Sequence, residues 1–204
     1  MSTTYPLARQ GIFTTIQGEG YMLGVPMVFV RLAGCSIGCP ACDTDYKLHT
    51  RVEITNIVNE CRKQATAIPC PWVWVTGGEP MDHNLYPLLD ALAKVGCWNA
   101  LATAGHKLVP DSWRMSATRQ VSYLSVSPHD PTRWKQKVGN ELKIVPGLND
   151  FNIKDFTFDN ISFGHKFVQP CEGKPESLAE CFELVKSNAT WRLSVQAHKQ
   201  WGVL

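Results

Sequence analysis

The sequence predicts an α/β protein built on a partial, open TIM-like barrel of about six parallel strands with few covering helices. Short runs rich in β-branched and aromatic residues alternate with amphipathic helical segments, most clearly in the first half of the chain and again near its end. This alternation is typical of a mainly parallel sheet. Only three clear helices accompany six or seven strand runs, which is too few for a complete eightfold barrel.

The predicted strands are apolar through most of their length, as expected for strands that are covered on at least one face. In chain order they are residues 27–32, 72–76, 98–103, 121–126, 141–145, 161–168 and 191–196.

Three segments repeat apolar residues at helical spacing, which places one apolar stripe along an amphipathic helix. The stripes are Ile54, Ile57, Val58 and Cys61; Leu85, Leu88, Leu89 and Leu92; and Leu178, Cys181, Phe182 and Val185. Since Cys61 and Cys181 lie on these stripes, we interpret them as small core residues and not as ligands.

Composition limits the classes of function that the chain can have. Of its 204 residues, 44% are hydrophobic and 19% are charged, and no linker or repeat divides them, so we expect one domain over residues 1–204. No apolar run approaches the roughly 18 residues of a membrane helix. The first residues lack the layout of a signal peptide, which favours a cytoplasmic protein. The net charge of +2, without a dense Lys/Arg block, gives no footprint for nucleic acid, so we expect a small-molecule substrate.

Polar groups stand where the predicted strands end. Three cysteines follow the first strand, residues 77–80 follow the second, Thr103 closes the third, Ser127 follows the fourth, Lys143 lies in the fifth, Gln169 ends the sixth, and Gln196 and His198 follow the last. Parallel barrels carry their active sites at the carboxyl ends of the strands. We therefore expect these groups to share one site.

The strongest chemical signal is the C-x3-C-x2-C motif formed by Cys35, Cys39 and Cys42. Thiolates are the usual ligands of iron–sulfur clusters, and three of them leave one iron of a [4Fe–4S] cluster open for a cofactor. A zinc site is the alternative, but it requires a fourth ligand, and His49, the nearest candidate in sequence, is poorly spaced. Buried free cysteines are a further alternative.

The cysteine motif, followed one strand later by the TGGEP segment at residues 76–80, resembles the radical S-adenosylmethionine superfamily. In that superfamily the backbone after the second strand meets the methionine group of the cofactor. The resemblance implies S-adenosylmethionine as a cofactor, bound in part by Gly77, Gly78 and Glu79. A simple strand-to-helix turn is the alternative interpretation of Gly-Gly-Glu-Pro.

Within the superfamily, the sequence resembles the 7-carboxy-7-deazaguanine synthase family over nearly the whole chain. The matching segments are residues 13–20 (FTTIQGEG), 29–32 (FVRL), 42–44 (CDT), 125–128 (SVSP), 141–143 (ELK), 168–170 (VQP) and 196–199 (QAHK). The resemblance implies reductive cleavage of S-adenosylmethionine, hydrogen abstraction from C6 of 6-carboxy-5,6,7,8-tetrahydropterin, ring contraction and loss of ammonia. It also implies a homodimer and an external reductant such as a flavodoxin or a ferredoxin.

The resemblance assigns Gln17, Gly18, Glu19, Arg31, Thr76 and His198 to the substrate. An amide, a close-approach backbone and a carboxylate suit the hydrogen-bonding edge of a pterin, although a plain surface turn at residues 17–20 is the alternative. Residues 17–20 precede a predicted strand, so we reject a dinucleotide-binding loop. Arg31 lies in an apolar run, where a guanidinium needs an anionic partner, either a structural carboxylate or that of the substrate.

The remaining assignments also follow from the resemblance. Thr44 is assigned to Mg²⁺, an ion that keeps few protein ligands, although a lone Thr is also a common turn residue. Thr103, Ser127, Lys143 and Gln169 are assigned to S-adenosylmethionine, although each suits a strand end equally well. Asp43 has no assigned role, and His49, His83, His106, His129 and His165 have none.

Two departures from the family pattern affect cofactor contacts. Ala41 precedes the third cysteine where the superfamily often has an aromatic residue, and residues 102–106 read ATAGH where relatives have Glu-Thr-Asn-Gly. Three other functions stay open at this point. They are an activase of glycyl-radical enzymes, a non-catalytic metal- or cluster-binding module, and a radical enzyme acting on another heterocycle.

Overall fold

The structure is a computed structural model that describes residues 3–40, 42–115, 117 and 119–203. Within these residues, nine strands form one mixed sheet in the order β3-β1-β2-β4-β5-β6-β7-β8-β9. The strands are β1 (Thr4–Ile16), β2 (Pro26–Leu32), β3 (Thr50–Glu53), β4 (Trp72–Gly77), β5 (Trp98–Thr103), β6 (Tyr123–Val126), β7 (Val138–Ile144), β8 (Ser162–Val168) and β9 (Trp191–Leu193). The helices are α1 (Ile54–Ala67), α2 (Tyr86–Lys94), α3 (Asp111–Met115), α4 (Glu176–Ser187) and α5 (Ala197–Trp201).

Seven strands, namely β2 and the six from β4 to β9, are parallel to one another, and each corresponds to a predicted strand. The outermost strands, β3 and β9, do not pair with one another, so the sheet is open. The predicted open α/β barrel is therefore confirmed.

Two strands, β1 and β3, were not predicted from the sequence. β1 pairs antiparallel with both β2 and β3, and its register shifts between Leu7 and Ile12, where Gly11 has a φ of 55°. The bulge, together with Pro6, interrupts the alternation by which strands are recognised. Residues 17–20 thus follow a strand as well as preceding one. They lead into β2 and not into a helix, so a dinucleotide-binding loop remains excluded.

The outer core packs α1 and α2 against the parallel strands. Ile57 and Cys61 of α1 and the three leucines of α2 (Leu88, Leu89 and Leu92) are fully buried, as predicted. Burial of each such leucine stabilises the fold by about 2 kcal/mol. The predicted stripe of α4 is only partly correct, because Leu178 and Phe182 are 40% and 46% exposed. α4 packs on β8 and β9 at the sheet edge and buries Ser177 and Cys181 instead.

A second apolar cluster lies on the inner face of the sheet. It contains Met22, Met27, Phe29, Trp74, Ala100 and Tyr123. Phe29 and Trp74 of this apolar cluster also line a cavity of about 430 Å³, so the apolar cluster closes that cavity on one side. Among the described residues, no helix has the length and apolar character needed to cross a membrane.

Candidate active site

A cavity of about 430 Å³ opens where the parallel strands end. Every site residue predicted from the sequence lines this cavity except Gln169. Gln169 lies behind the wall, where its side-chain nitrogen is 3.4 Å from a carboxylate oxygen of Glu19. The fold therefore brings together groups that are up to about 180 residues apart in sequence.

The loop after β2 carries the three cysteines into the cavity. All eight cysteines of the chain are free thiols, and Cys39 is the most buried of the three on the loop. Asp82 holds the loop, since its carboxylate accepts hydrogen bonds from the backbone and hydroxyl of Ser36 at 2.7 and 2.9 Å. Lys107 and Ser36 hold the pKa of Asp82 at about 2, although burial alone would raise it.

The donor set of this loop fits an iron–sulfur cluster better than a single ion. Three free thiols line one cavity, and sulfur ligands of this kind are typical of such clusters. Among the described residues, no three His, Cys, Asp or Glu side chains converge closely enough to hold one metal ion. The loop therefore lacks the closed tetrahedral arrangement of a structural zinc site.

Gly77 and Gly78 are required where β4 meets the cysteine loop. A Cβ atom on Gly77 would lie 2.0 Å from the carbonyl oxygen of Leu32, and one on Gly78 would lie 2.0 Å from that of Gly34. The backbone nitrogens of Gly78 and Glu79 donate to the same two carbonyls at 3.0 Å. The segment is thus a backbone-to-backbone contact with the cysteine loop and not a free turn.

The side chain of Glu79 connects this segment to the end of β5. Its buried carboxylate accepts hydrogen bonds from the hydroxyl of Thr103 and the backbone of Ala104, both at 2.7 Å, and from the backbone of Met81 at 2.9 Å. Burial raises the pKa of Glu79, and these three donors oppose the rise. Glu79 and Thr103, both predicted at the cofactor, therefore contact one another. The backbone of Ser127 in turn donates to the carbonyl of Thr103 at 2.8 Å.

Residues 17–19 form a largely buried part of the cavity wall and not a surface turn. Gln17 is 7% exposed, and its side-chain oxygen accepts from the backbone of Glu19 at 3.2 Å. Glu19 forms an ion pair with Lys143 of β7 and also accepts from the side chain of Gln196 at 2.9 Å. Burial alone raises the pKa of Glu19, but Lys143 and Gln196 together lower it below its usual value. Conversely, burial lowers the pKa of Lys143, and Glu19 raises it above its usual value.

The C-terminal segment closes over residues 17–19. The ring of His198 occupies the space that a Cβ on Gly18 would fill, at 2.3 Å from Nδ1, which explains why residue 18 is a glycine. The backbone of Ala197 donates to the carbonyl of Gly18 at 2.9 Å. Gln196 also donates to Asp43 at 3.0 Å, and Lys199 donates to Asp43 at 2.8 Å. The segment therefore contacts both the cysteine loop and the Glu19 loop.

Arg31 lines the cavity with a guanidinium that is only partly satisfied. Within the described part of the chain, its buried Nε has no hydrogen-bond partner, and the guanidinium carbon lies 5.3 Å from the centre of the Phe13 ring. Burial lowers the pKa of Arg31, while Asp43 and Cys42 oppose this effect. Buried polar atoms are rarely left unpaired, so this guanidinium fits an anionic ligand. Thr44 lines the same cavity, and its hydroxyl lies 3.5 Å from Asp43.

Sequence reasoning missed several residues at this site. Glu141 accepts from the backbone of Tyr21 at 2.7 Å and from the hydroxyls of Ser125 and Tyr123 at 2.9 and 3.0 Å, which holds the loop after β1. A carboxylate in a buried strand was a signal for it. His106, inside the divergent ATAGH segment, lies 3.2 Å from Asp82 and 3.3 Å from Ser36. Ala41, the other departure, lies outside the described residues.

The open parallel sheet, the three-cysteine loop after its first parallel strand and the Gly-Gly-Glu segment after its second define a radical S-adenosylmethionine enzyme. No protein-family model matches the chain. It is 31% identical to the 7-carboxy-7-deazaguanine synthase of Synechocystis sp. over 208 residues, covering 100% of this chain and 95% of the relative. It is also 31% identical to the synthase of Escherichia coli K12, covering 96% of this chain and 97% of the relative.

The structural comparison agrees with these sequences. The crystal structure of QueE from Escherichia coli matches with a TM-score of 0.70 and 26% identity, covering 96% of this chain and 95% of that one. The chain belongs to the 7-carboxy-7-deazaguanine synthase family.

Proposed function

We propose that this protein converts 6-carboxy-5,6,7,8-tetrahydropterin to 7-carboxy-7-deazaguanine with loss of ammonia, a step in making the queuosine precursor. Membership of the family supports the reaction. The observation that carries the substrate assignment is the buried, unpartnered Nε of Arg31 in the wall of the cavity. A carboxylate on the substrate would satisfy this group by a charge-assisted hydrogen bond.

Separate groups of residues would bind the cluster and the cofactor. Cys35, Cys39 and Cys42 would hold a [4Fe–4S] cluster, and Gly77, Gly78, Glu79, Thr103, Ser127, Lys143 and Gln169 form the proposed cofactor set. When bound, the cluster and S-adenosylmethionine would supply the one-electron chemistry that removes a hydrogen atom from the substrate. The protein itself orients the ligands and excludes water.

The substrate would lie between Arg31 and Glu19. Arg31, backed by the ring of Phe13, would bind the carboxylate, and Mg²⁺ at Thr44 would orient the same group as a template. Gln17 and Glu19 offer an amide and a carboxylate to the lactam and amine edge of the pterin. The lowered pKa of Glu19 keeps it ionised and able to accept from the amine. Gly18 and His198 pack together beside this edge, with Thr76 on the same wall.

The ion pair between Glu19 and Lys143 joins the two binding regions, because the first residue is assigned to the substrate and the second to the cofactor. Each ligand would therefore affect the orientation of the other. Gln169 contributes indirectly, by donating to Glu19 at 3.4 Å and accepting from Ser194 at 2.9 Å.

The remaining parts of the proposal rest on the family resemblance, for the electron donor and the dimer, and on the sequence composition, for the domain and the location. They are an external one-electron donor of the flavodoxin or ferredoxin type, a homodimer, a single radical S-adenosylmethionine domain over residues 1–204, and action in the cytoplasm.

The test is anaerobic reconstitution with iron and sulfide, followed by addition of reductant, S-adenosylmethionine, Mg²⁺ and the carboxylated tetrahydropterin. We expect mass spectrometry to find the deazaguanine acid, and less of it when Mg²⁺ is omitted. A protein that forms its cluster and cleaves S-adenosylmethionine but yields no deazaguanine would contradict the substrate assignment. A colourless protein that binds zinc stoichiometrically would contradict the whole proposal.

A further inference from the structure

Two side-chain nitrogens approach the sulfur of Cys39. Nδ1 of His129 lies 3.3 Å from this Sγ atom, and Nδ2 of Asn149 lies 3.2 Å from it. Within the described part of the chain, neither Cys35 nor Cys42 has a side-chain nitrogen at its sulfur, and the contact of Cys42 is with the carbonyl of Thr44 at 3.6 Å. The three sulfurs are therefore in unequal surroundings.

Asn149 is oriented as a donor to this sulfur. Its Nδ2 also donates to the carbonyl oxygen of His129 at 2.9 Å, and a flipped amide would place two acceptors against each other. Its buried Oδ1 has no partner among the described residues, so only the contacts of Nδ2 fix the orientation of the amide. The backbone of Asn149 has a φ of 54°, a left-handed conformation that Asn adopts more readily than most residues.

His129 is also a donor when the sulfur is bound to iron. A thiolate ligand carries no hydrogen and can only accept, so the ring nitrogen that faces it must carry the hydrogen. His129 follows Ser127 by two residues on the loop after β6, and its side chain lines the cavity. The loop after β6 and the segment at Asn149, between β7 and β8, thus meet at Cys39.

We infer that His129 and Asn149 are positioning residues that raise the reduction potential of the cluster by donating hydrogen bonds to the sulfur of Cys39. The inference rests on the proposed function, because it requires the cluster. Hydrogen bonds to ligand sulfur withdraw negative charge and favour the reduced, more negative state. A donor to a charged acceptor is strong enough to shift the reduction equilibrium by about tenfold, which is about 59 mV for one electron.

The experiment measures the midpoint potential of the reconstituted, full-length protein by redox titration followed by electron paramagnetic resonance. We expect His129→Leu and Asn149→Ala each to lower the midpoint by the equivalent of about a tenfold shift in the reduction equilibrium, with iron content unchanged. His129→Asn places an amide nitrogen near the position of Nδ1, so its midpoint potential should lie close to that of the wild type.

Asn160→Ala is the matched control. The backbone of Asn160 is also left-handed, with a φ of 56°, but Asn160 is exposed. Its replacement by Ala therefore introduces the same backbone strain without removing a contact to sulfur. The inference is wrong if Asn149→Ala shifts the midpoint no further than Asn160→Ala, or if His129→Asn shifts it as far as His129→Leu. If a variant loads less iron, the midpoint of the loaded fraction still decides between these outcomes.

This test is independent of the reaction catalysed. If the variants show the expected decrease in midpoint potential but the wild-type protein makes no deazaguanine, the substrate assignment is contradicted and the inference stays intact. Unchanged potentials in protein that does make deazaguanine would contradict the inference alone.

Discussion

The cysteine side and the substrate side of the cavity are held together in different ways. On the cysteine side, β2, β4 and β5 meet through backbone hydrogen bonds, and two glycines leave no room for a Cβ atom. On the proposed substrate side, Glu19 forms an ion pair with Lys143, and Lys199 of the C-terminal segment forms an ion pair with Asp43 at the end of the cysteine loop. A ligand can displace or rearrange side-chain contacts of this kind, whereas it cannot rearrange a backbone contact without moving the strands. The first side is therefore suited to hold a permanent cluster, and the second to admit and release a substrate.

The largest effect is expected from Gly78→Ala. The new Cβ would overlap the carbonyl of Gly34, at 2.0 Å, and would force the cysteine loop away from β4. We expect loss of the iron content and a decrease of about 3 kcal/mol in the free energy of unfolding, measured by iron analysis and denaturant titration.

Gly164→Ala is the control for this change. A Cβ on Gly164 would meet only the carbonyl oxygen of Asn140, at 3.4 Å, so this variant should keep its cluster. A Gly78→Ala protein with full iron content would show that the cysteine side is not held by this backbone contact.

The second prediction concerns the buried ion pair. Lys143→Met leaves Glu19 buried without its cation, which we expect to cost about 3 kcal/mol in the free energy of unfolding. The double variant Lys143→Met/Glu19→Gln removes both charges and should recover much of that stability. Denaturant titration of the wild type and the two variants, all without the cluster, checks this, and a double variant no more stable than Lys143→Met would contradict it.

The third prediction separates stability from binding. Arg31→Met removes a half-buried guanidinium whose buried Nε has no partner in the described part of the chain, so the free energy of unfolding should stay the same or rise. Loss of the charge-assisted contact should lower kcat/KM for the carboxylated pterin by about a hundredfold, through KM. The exposed Arg51 supplies the control, Arg51→Met, which should change neither quantity. An unchanged KM in Arg31→Met would show that the substrate carboxylate binds elsewhere.

The two sides also differ in how far the sequence predicted them. The backbone features of the cysteine side could be predicted from the sequence, because the cysteine spacing and the Gly-Gly pair follow strands whose apolar runs are easy to recognise. The side-chain contacts could not be predicted, since contacts such as Gln196 with Asp43 or His129 with Cys39 join residues 153 and 90 positions apart. Such pairs have no local pattern and depend on the curvature of the sheet. β1 was missed for a different reason, because its bulge interrupts the alternation of the strand.

The smallest effect is expected at acid pH, where Asp82, which holds the cysteine loop, can be compared with Asp43, which joins that loop to the C-terminal segment of the proposed substrate side. Interactions with lysines hold the pKa values of both Asp43 and Asp82 at about 2 although burial alone would raise them. A pKa that is lowered in the folded state stabilises the protein above the unfolded pKa of about 4, and this contribution is lost as the pH falls to about 2.

The contribution should be about 2 kcal/mol for Asp82, whose side chain is 16% exposed, and about 1 kcal/mol for Asp43, which is 44% exposed and more strongly screened by solvent. The free energy of unfolding of the cluster-free protein, measured between pH 5 and pH 2, should therefore depend less steeply on pH in both Asp43→Asn and Asp82→Asn, and more so in the second. Added salt should reduce the contribution of Asp43 more than that of Asp82, because screening acts mainly on exposed charges. Equal slopes and equal salt effects would mean that the C-terminal segment is held as firmly as the cysteine loop, which would contradict the contrast between a fixed cysteine side and an adaptable substrate side.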